Sequence, residues 1–207
     1  MDRVEIPRKA IYRLSLYQRC LGKLQEKDIE TVSSSALAKA AGVNAAQLRK
    51  DLGYFGQFGT RGLGYAVEEL RNAIREALGR TSFQPVVLVG AGNLGSALLR
   101  YQGFEKEGFE VIAAFDIVPE AVMQQGLGLA VRPVSEMVRF IRKHDVKLAI
   151  LCVPGEVAQE TANELVGAGV TGILNFSPSV LQVPEAVTVN QVDLALELEN
   201  LSYFVKE

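Results

Sequence analysis

The chain has 207 residues, of which 48% are hydrophobic and 22% are charged, with a formal net charge of −2. This composition is typical of a globular protein with one small and one medium domain. No apolar run approaches the roughly 20 residues of a membrane span, and the N-terminus lacks the apolar core of a signal peptide, so we expect a cytoplasmic protein. Cys20 and Cys152 lie in apolar patterns, which predicts buried thiols rather than a disulfide or a metal site.

The N-terminal part of the chain is basic and the remainder is acidic. Residues 1–80 contain 14 Lys and Arg against 9 Asp and Glu, a net charge of +5, and residues 81–207 contain 8 against 15, a net charge of −7. A basic part on an acidic chain suggests that the N-terminal part binds a polyanion. Chance asymmetry among solvated charges is the alternative.

Helical patterns fill most of the first 52 residues. Apolar side chains at helical spacing predict a long amphipathic helix over residues 7–27, and a polar connection follows over residues 28–33. Residues 34–52 then predict a short helix, a turn at Gly42 and a second helix that Asn44 caps. The segment therefore has the pattern of a helix–turn–helix unit.

The second of these helices has the composition of a DNA-recognition helix. Gln47 stands three residues after the cap, in the capping-box position, and Leu48 and Leu52 face the core. The side chains left exposed are those of Ala45, Ala46, Gln47, Arg49 and Lys50. Small residues permit entry into the major groove, where Arg and Lys reach phosphates or guanine edges. An ordinary helical hairpin has the same pattern and remains the alternative.

Aromatic residues alternate with glycines over residues 53–65 and predict a tight β-hairpin with Arg61 at its tip. Directly after a helix–turn–helix, such a hairpin is the wing of a winged-helix domain, and Arg61 would contact the minor groove or a phosphate. The alternative is a glycine-rich turn whose aromatics join the core. A last helix over residues 67–78 ends at Gly79.

Residues 85–96 combine an apolar strand with Gly-x-Gly-x-x-Gly and the start of a helix, which is the beginning of a dinucleotide-binding βαβ unit. Gly90 permits the tight turn, Gly92 lets the backbone approach a pyrophosphate, and Gly95 lets the helix pack closely on the strand. The helix N-terminus then faces the phosphates. Glycines that serve packing alone are the alternative interpretation.

A second apolar run, residues 111–115, ends at Asp116, about 20 residues beyond the third glycine, where the ribose-binding carboxylate of this fold is expected. A carboxylate accepts hydrogen bonds from ribose hydroxyls and repels a 2′-phosphate, and the Ile117-Val118-Pro119 that follows offers no Arg. The sequence thus favours NAD(H) over NADP(H), without excluding other adenine ribonucleotides such as coenzyme A.

The remaining residues predict more strands and helices of the same kind. A short strand at residues 129–131 and a helix over residues 135–143 precede two apolar strands, residues 148–153 and 172–176. Continuous apolar runs are expected of parallel strands buried on both faces, so we predict a doubly wound parallel sheet with its ligand at the carboxyl ends of the strands. Val153-Pro154-Gly155 and Asn175-Phe176-Ser177-Pro178 end those two strands, where they either line the nicotinamide side or only terminate the strands.

The chain offers few groups for dehydrogenase chemistry. Such an enzyme needs a proton donor or acceptor beside the hydride site, for example His, or Tyr with Lys four residues on. His144, the single histidine, stands in a charged segment, and none of the six tyrosines has Lys at that spacing. A nucleotide-gated DNA-binding protein is therefore favoured over a small NAD-dependent reductase. A coenzyme A-binding or structural scaffold would share the fold but gives the basic N-terminal part no purpose.

Residues 47–65 together with residues 90–95 resemble the Rex family of redox-sensing transcriptional repressors, and the resemblance continues through Tyr101-x-Gly103-Phe104 and residues 172–178. It implies a homodimer that binds a palindromic operator when NADH is scarce and leaves it when NADH binds. It further implies a swapped C-terminal helix, and a pair of Arg19 with Asp193 across the dimer, close to Tyr101. Leu194 stands where some relatives carry an aromatic ring.

The predicted fold class is α/β. A winged-helix domain, residues 1–80, precedes a Rossmann-type NAD(H)-binding domain, residues 81–191, and a swapped C-terminal helix, residues 192–207. The residues predicted to bind the nucleotide are Gly90, Ala91, Gly92, Asn93, Leu94, Gly95, Tyr101, Asp116, Ile117, Val153, Pro154 and Phe176. The residues predicted to bind DNA are Ser35, Ala46, Gln47, Arg49, Lys50, Tyr54 and Arg61. No catalytic residue and no membrane partner is predicted.

Overall fold

The structure is a computed structural model that describes residues 6–60, 62–79, 82–120 and 129–205. The chain divides into two compact units, residues 1–82 and 83–207. Arg61, the predicted tip of the wing, lies outside the described residues. In the described part of the chain, no helix combines the length and the apolar character needed to cross a lipid bilayer.

The first unit is helical with a very small sheet. Its helices are α1 (Arg8–Gln25), α2 (Ser34–Ala40), α3 (Ala45–Gly53) and α4 (Val67–Ala77), and its strands are β1 (Thr31–Val32) and β2 (Tyr65–Ala66). One apolar core joins the four helices, with Leu14, Leu37, Leu48 and Ile74 fully buried. The predicted helix–turn–helix is confirmed as α2 and α3.

The turn between α2 and α3 follows from local hydrogen bonds. Gly42 has φ +69°, a conformation that favours glycine, and it ends the first helix. The side chain of Asn44 accepts a hydrogen bond from the Gln47 backbone N–H at 2.8 Å, which confirms the predicted cap. The second half of the capping box, in which Gln47 Oε1 would accept from the Asn44 N–H, stays a prediction, and the Nε2 group of the same side chain donates to the carboxylate of Asp51 at 2.8 Å.

The connection between α1 and α2 is not merely polar, as the sequence suggested. Thr31 and Val32 form β1, which pairs antiparallel with β2 at Ala66 and Tyr65. The predicted hairpin over residues 53–65 is reduced, in the part that the structure describes, to one bridge between Thr60 and Gly64. Tyr65 leaves that hairpin because its ring is buried in the core beside β1, and burying a large aromatic outweighs one more hairpin pair.

The second unit is built on a six-stranded sheet, and all its strand pairs are parallel. Its strands are β3 (Gln84–Val89), β4 (Phe109–Asp116), β5 (Val131–Pro133), β6 (Leu148–Leu151), β7 (Gly172–Asn175) and β8 (Thr188–Gln191), in the order β5-β4-β3-β6-β7-β8. The helices described in this unit are α5 (Asn93–Leu99), α6 (Gly103–Lys106), α7 (Met137–His144), α8 (Gly155–Ala168) and α9 (Leu194–Phe204). The predicted doubly wound parallel sheet is confirmed.

Both faces of this sheet are covered, which explains its uninterrupted apolar strands. Along β3, Val87 and Val89 belong to one buried cluster and Val86 and Leu88 belong to another. Successive side chains of a strand point to opposite faces, so the two clusters lie on opposite sides of the sheet. The strand order reverses between β3 and β6, and ligands of such sheets bind at the carboxyl ends beside this switch point.

The boundaries of several predicted elements shift by a few residues. The helix predicted over residues 135–143 begins with a 3-10 turn, Val134–Glu136, before α7. The last helix begins at Leu194 instead of residue 192, because the Val192 N–H donates to the Asn175 carbonyl at 2.8 Å and so continues the sheet.

Candidate nucleotide-binding site and DNA-binding face

The glycine loop after β3 has the shape that its sequence predicts. Gly90 has φ +88°, and a Cβ atom there would lie 2.5 Å from the carbonyl oxygen of Cys152. A Cβ atom on Gly95 would overlap the carbonyl oxygen of Gly90, so the third glycine is required for close packing of α5. A Cβ atom on Gly92, by contrast, would meet nothing within 4 Å. The space above the second glycine is therefore open to a ligand.

The open space lies at the N-terminus of α5, where Gly92 occupies the capping position. The Ser96 N–H closes the first helical hydrogen bond to the Gly92 carbonyl at 2.8 Å, so the N–H groups before it have no partner within the helix. The Ser96 hydroxyl donates to the Ala91 carbonyl at 2.6 Å and so stabilises the loop. Exposed N–H groups at a helix N-terminus suit a phosphate.

Asp116, at the end of β4, lies at the edge of the same loop. Its Oδ2 accepts a hydrogen bond from the Ala91 N–H at 2.7 Å, and its Oδ1 accepts one from the Val118 N–H at 2.9 Å. The side chain of Ile117 beside it is 83% exposed. An acceptor at the edge of the loop, next to an exposed apolar side chain, fits the ribose and base of an adenine nucleotide.

The ends of β3, β6 and β7 meet at this edge of the sheet. The Cys152 N–H donates to the Val89 carbonyl, and the Phe176 N–H donates to the Leu151 carbonyl, both at 2.8 Å. Val153 is half-buried, and Pro154 is exposed at the N-terminus of α8. These residues extend the site along the carboxyl ends of the strands.

Tyr101 and Leu94 lie on the α5 side of the site. The ring of Tyr101 is 57% exposed and contacts Phe104 edge-on, with 5.2 Å between the ring centroids. A Cβ atom on Gly103 would collide with this ring, so the glycine leaves the space that the ring of Tyr101 occupies. Leu94 and Asn93, in the first turn of α5, are exposed.

A buried polar network after β7 was not anticipated. The Asn175 side chain is fully buried and donates from Nδ2 to the Ser179 carbonyl at 2.8 Å and to Gln191 Oε1 at 2.7 Å. Its Oδ1 accepts from the Ser177 N–H at 3.0 Å, and Gln191 Nε2 donates to the Ser177 carbonyl at 2.7 Å. The network fixes the loop that presents Phe176. In the sequence, only the Asn at the end of an apolar strand pointed to this network, and nothing pointed to Gln191.

The two cysteines do not have the character of redox-active thiols. Burial raises the pKa of the Cys152 thiol to about 12, and burial also raises the pKa of Cys20, against a smaller lowering by Lys23. The thiolate is the reactive form, so both side chains are unreactive near neutral pH. Among the described residues, no group of three His, Cys, Asp or Glu could hold a metal ion.

The exposed face of α3 carries the predicted DNA-binding cations. Ala46, Arg49 and Lys50 are exposed, and Arg49 Nη1 donates to the Ser34 hydroxyl at 3.1 Å, across the turn to α2. Ser35 is exposed in the first turn of α2, and Tyr54 is half-buried at the C-terminus of α3. The helix–turn–helix thus brings together six of the seven residues predicted to bind DNA, and Arg61 lies outside the described residues.

Gln47 differs from its neighbours because its side chain is engaged within the unit. It donates to Asp51, which is fully buried and also binds Arg13 and Tyr17. Burial by itself would raise the pKa of the Asp51 carboxyl, but the hydrogen bonds from Arg13, Tyr17 and Gln47 outweigh it and hold that pKa below its usual value. This buried carboxylate was missed, because an aspartate in an amphipathic helix usually indicates a solvated position.

The two predicted switch residues lie in different units. Arg19 is exposed on α1. Asp193 is the N-cap of α9, and its Oδ1 accepts hydrogen bonds from the Ala195 and Leu196 N–H groups at 3.0 and 3.1 Å. Asp193 therefore has a local role that the sequence did not reveal. None of the α9 residues is buried in the single chain, and the apolar side chains of Leu196 and Phe204 are 51% and 81% exposed.

Comparison with protein families matches both parts of the chain. A family described as "CoA binding domain" matches residues 81–179, and a family described as "Putative DNA-binding protein N-terminus" matches residues 5–53. The redox-sensing transcriptional repressor Rex of Syntrophobacter fumaroxidans is 46% identical over 204 residues, covering 98% of this chain and 97% of that protein. Rex of Carboxydothermus hydrogenoformans is 45% identical over 206 residues, covering 100% and 99%.

Solved structures agree with these relatives. The crystal structure of RSP in complex with β-NAD⁺ and operator DNA has a TM-score of 0.90 and 39% identity to this chain, covering 98% of this chain and 93% of that one. The structure of RSP in complex with β-NADH has a TM-score of 0.85 and 37% identity, covering 98% and 95%. Because such relatives match nearly end to end, the chain belongs to the Rex family of redox-sensing transcriptional repressors.

Proposed function

We propose that this chain binds operator DNA when NADH is scarce and leaves the DNA when NADH binds, so that transcription follows the ratio of NADH to NAD⁺. The observation that carries the proposal is the preformed glycine loop, with the Asp116 carboxylate hydrogen-bonded to the Ala91 N–H at its edge. The same chain carries a helix–turn–helix whose second helix, α3, exposes the cations Arg49 and Lys50. Family membership favours this regulator over a reductase.

The residues around the glycine loop would hold the nucleotide. The N–H groups at the N-terminus of α5 would bind the pyrophosphate, and Asp116 would accept hydrogen bonds from the ribose hydroxyls. Val153, Pro154 and Phe176, with Tyr101 on the α5 side, would line the nicotinamide end. The nicotinamide ring is cationic in NAD⁺ and neutral in NADH, and this difference is what the site has to distinguish.

The face of α3 would read the operator. Ala46 is small enough to let the helix approach the base edges, and Arg49 and Lys50 would reach bases or phosphates. We propose that Arg61 supplies the wing contact, and that Ser35 and Tyr54 bind the DNA backbone beside α3. We propose that the protein works in the cytoplasm, beside the DNA that it binds, and no step in this scheme needs a metal ion.

A homodimer would bind a palindromic operator with two copies of α3 about 34 Å apart, in successive major grooves. The support for a dimer is α9, which leaves a row of apolar side chains uncovered in the single chain. A helix with this much exposed apolar surface is expected to pack against another chain, and exchange of α9 between subunits would cover it. Sedimentation of the wild-type protein at twice its chain mass would support the dimer, and sedimentation as a single chain would exclude it.

The test is a gel-shift titration with an operator selected from random DNA by the wild-type protein. We expect NADH to release the DNA and NAD⁺ to have much less effect. Binding that ignores both nucleotides would contradict the proposal. Consumption of NADH on addition of carbonyl compounds would instead favour the reductase.

A further inference from the structure

The helix that carries the DNA-binding face is fastened to α1 by one buried carboxylate. Asp51 Oδ2 accepts hydrogen bonds from Arg13 Nε at 2.6 Å and from the Tyr17 hydroxyl at 2.7 Å. Asp51 Oδ1 accepts hydrogen bonds from Arg13 Nη2 at 2.7 Å and from Gln47 Nε2 at 2.8 Å. Four donors thus converge on the two oxygens of a side chain that is fully buried.

These hydrogen bonds join one face of α1 to one face of α3. Arg13 and Tyr17 are four residues apart on α1, and Gln47 and Asp51 are four residues apart on α3, so each pair lies on one side of its helix. An ionised carboxylate only accepts hydrogen bonds, so Gln47 must turn its NH₂ group toward Asp51. That group is therefore directed into the domain and away from a base edge.

The apolar contacts around the network cannot replace it. Leu48 and Leu52 pack α3 into the core, but packing of aliphatic side chains is not directional. Hydrogen bonds restrict both distance and angle. A buried ion pair is weak evidence for stability, since its desolvation offsets much of its attraction. What the network supplies beyond apolar packing is a fixed orientation of α3.

We propose that the Asp51 network sets the rotation of α3 about its own axis, and that Gln47 is a positioning residue rather than a base-reading one. This inference rests on the proposed function, because it assumes that α3 reads DNA. A rotation of about 10° moves a side-chain tip that lies about 5–6 Å from the helix axis by about 1 Å. That displacement exceeds the roughly 0.5 Å range of N–H···O hydrogen-bond lengths.

A loosened α3 would lose base contacts before it lost phosphate contacts. Bidentate contacts to base edges require fixed geometry, whereas attraction between a flexible cation and phosphates depends weakly on orientation. Breaking the network should therefore lower binding to the operator more than binding to unrelated DNA. The ratio of the two affinities separates positioning from a general loss of folded protein.

The decisive variant is Tyr17→Phe, which removes one hydroxyl from the network and keeps the ring. Tyr17 is fully buried and cannot touch DNA itself. Gln47→Ala removes a second donor, from a half-buried position that is expected to tolerate the change. Ile74→Val is the matched control, because it removes one methylene from the same core without touching Asp51.

The measurements are the melting temperature, the NADH affinity, and the affinities of the 207-residue chain for the selected operator and for a scrambled duplex of equal length. We expect Tyr17→Phe and Gln47→Ala to lower the ratio of operator to scrambled affinity by roughly three- to tenfold, the equivalent of one hydrogen bond. NADH affinity should not change, and Ile74→Val should keep the wild-type ratio.

Two results would overturn the inference while leaving the proposed function standing. One is a wild-type affinity ratio in Tyr17→Phe. The other is relaxed choice at a single base pair in Gln47→Ala, which would make Gln47 a base reader. A wild-type protein that does not distinguish the operator from the scrambled duplex would contradict the proposed function itself, and this is measured before any variant is compared.

Discussion

Gly92 caps α5 and Gly95 lies in the first turn of that helix, and the two glycines have opposite surroundings. A methyl group on Gly95 would overlap the Gly90 carbonyl oxygen, so Gly95→Ala should cost about 1–3 kcal/mol of stability. A methyl group on Gly92 meets no protein atom, so Gly92→Ala should change stability by about 0.5 kcal/mol or less. We expect Gly92→Ala to lower NADH affinity roughly tenfold by obstructing the pyrophosphate. Thermal melting and a fluorescence titration measure both, and wild-type NADH affinity in Gly92→Ala would be the contrary result.

Asp116 combines a structural and a predicted ligand-binding role. Asp116→Arg removes the acceptor for the ribose and introduces a partner for a 2′-phosphate. We expect NADH affinity to fall roughly 10- to 100-fold, as for the loss of hydrogen bonds to a charged group, and preference for NADH over NADPH to relax. Parallel titrations with the two nucleotides measure this.

The control is Asp116→Asn, which keeps an acceptor for the Ala91 N–H without the charge. Because Asp116→Asn keeps this hydrogen bond to the glycine loop, a fall in NADH affinity in this variant is attributed to the lost ribose contact and not to a disturbed loop. An unchanged preference between NADH and NADPH in Asp116→Arg would remove Asp116 from that role.

At the scale of elements, α3 and the predicted wing should determine DNA affinity independently of the nucleotide. We expect alanine at Arg49, Lys50 or Arg61 to weaken operator binding and to leave NADH affinity unchanged. The loss of a base contact should reduce the discrimination between bases at one operator position by about 1–3 kcal/mol. The loss of a phosphate contact should instead reduce the slope of log affinity against log salt concentration by about one unit. Arg75→Ala, an exposed cation on α4, is the control. Wild-type operator binding in the triple variant would refute this DNA-binding face.

The α9 helix allows the proposed switch to be separated from helix capping. Asp193→Ala removes both a cap, worth about 1 kcal/mol, and the charge proposed to pair with Arg19 across the dimer. Asp193→Asn keeps an N-cap acceptor and removes only the charge. We expect Asp193→Asn to keep α9 folded, by circular dichroism, and to weaken the release of operator by NADH. A full NADH response in this variant would discard the pair as a switch, since an ordinary exposed pair contributes little.

For the whole molecule, NADH and operator should each lower the affinity of the protein for the other, by the same factor. If NADH lowers operator affinity by some factor, typically about 5- to 150-fold, then saturating operator must lower NADH affinity equally. NAD⁺ should couple much less, because only differential affinity for two states can shift them. NADH titrations with and without operator, at fixed salt, measure the factor. Equal NADH affinities would contradict redox sensing even though the family is established.

Features with a local cause were predictable from the sequence. The turn at Gly42, the cap at Asn44 and the glycine loop each depend on a few neighbouring residues with particular backbone preferences. The parallel sheet followed from uninterrupted apolar runs, since only strands buried on both faces have them. The spacing from the loop to Asp116 could be read directly because one βαβ unit fixes it.

Pairings between distant residues were decided by the tertiary structure alone. The sequence predicted a polar connection over residues 28–33 and a hairpin over residues 53–65, and it did not predict that Val32 and Tyr65 are buried as partners in β1 and β2. Asp51 had no predicted role, and its partner Arg13 is 38 positions away. An apolar pattern specifies which face of a helix or strand is buried, but it does not specify which other element packs against that face. Directional hydrogen bonds between remote side chains form only after packing has brought those side chains together.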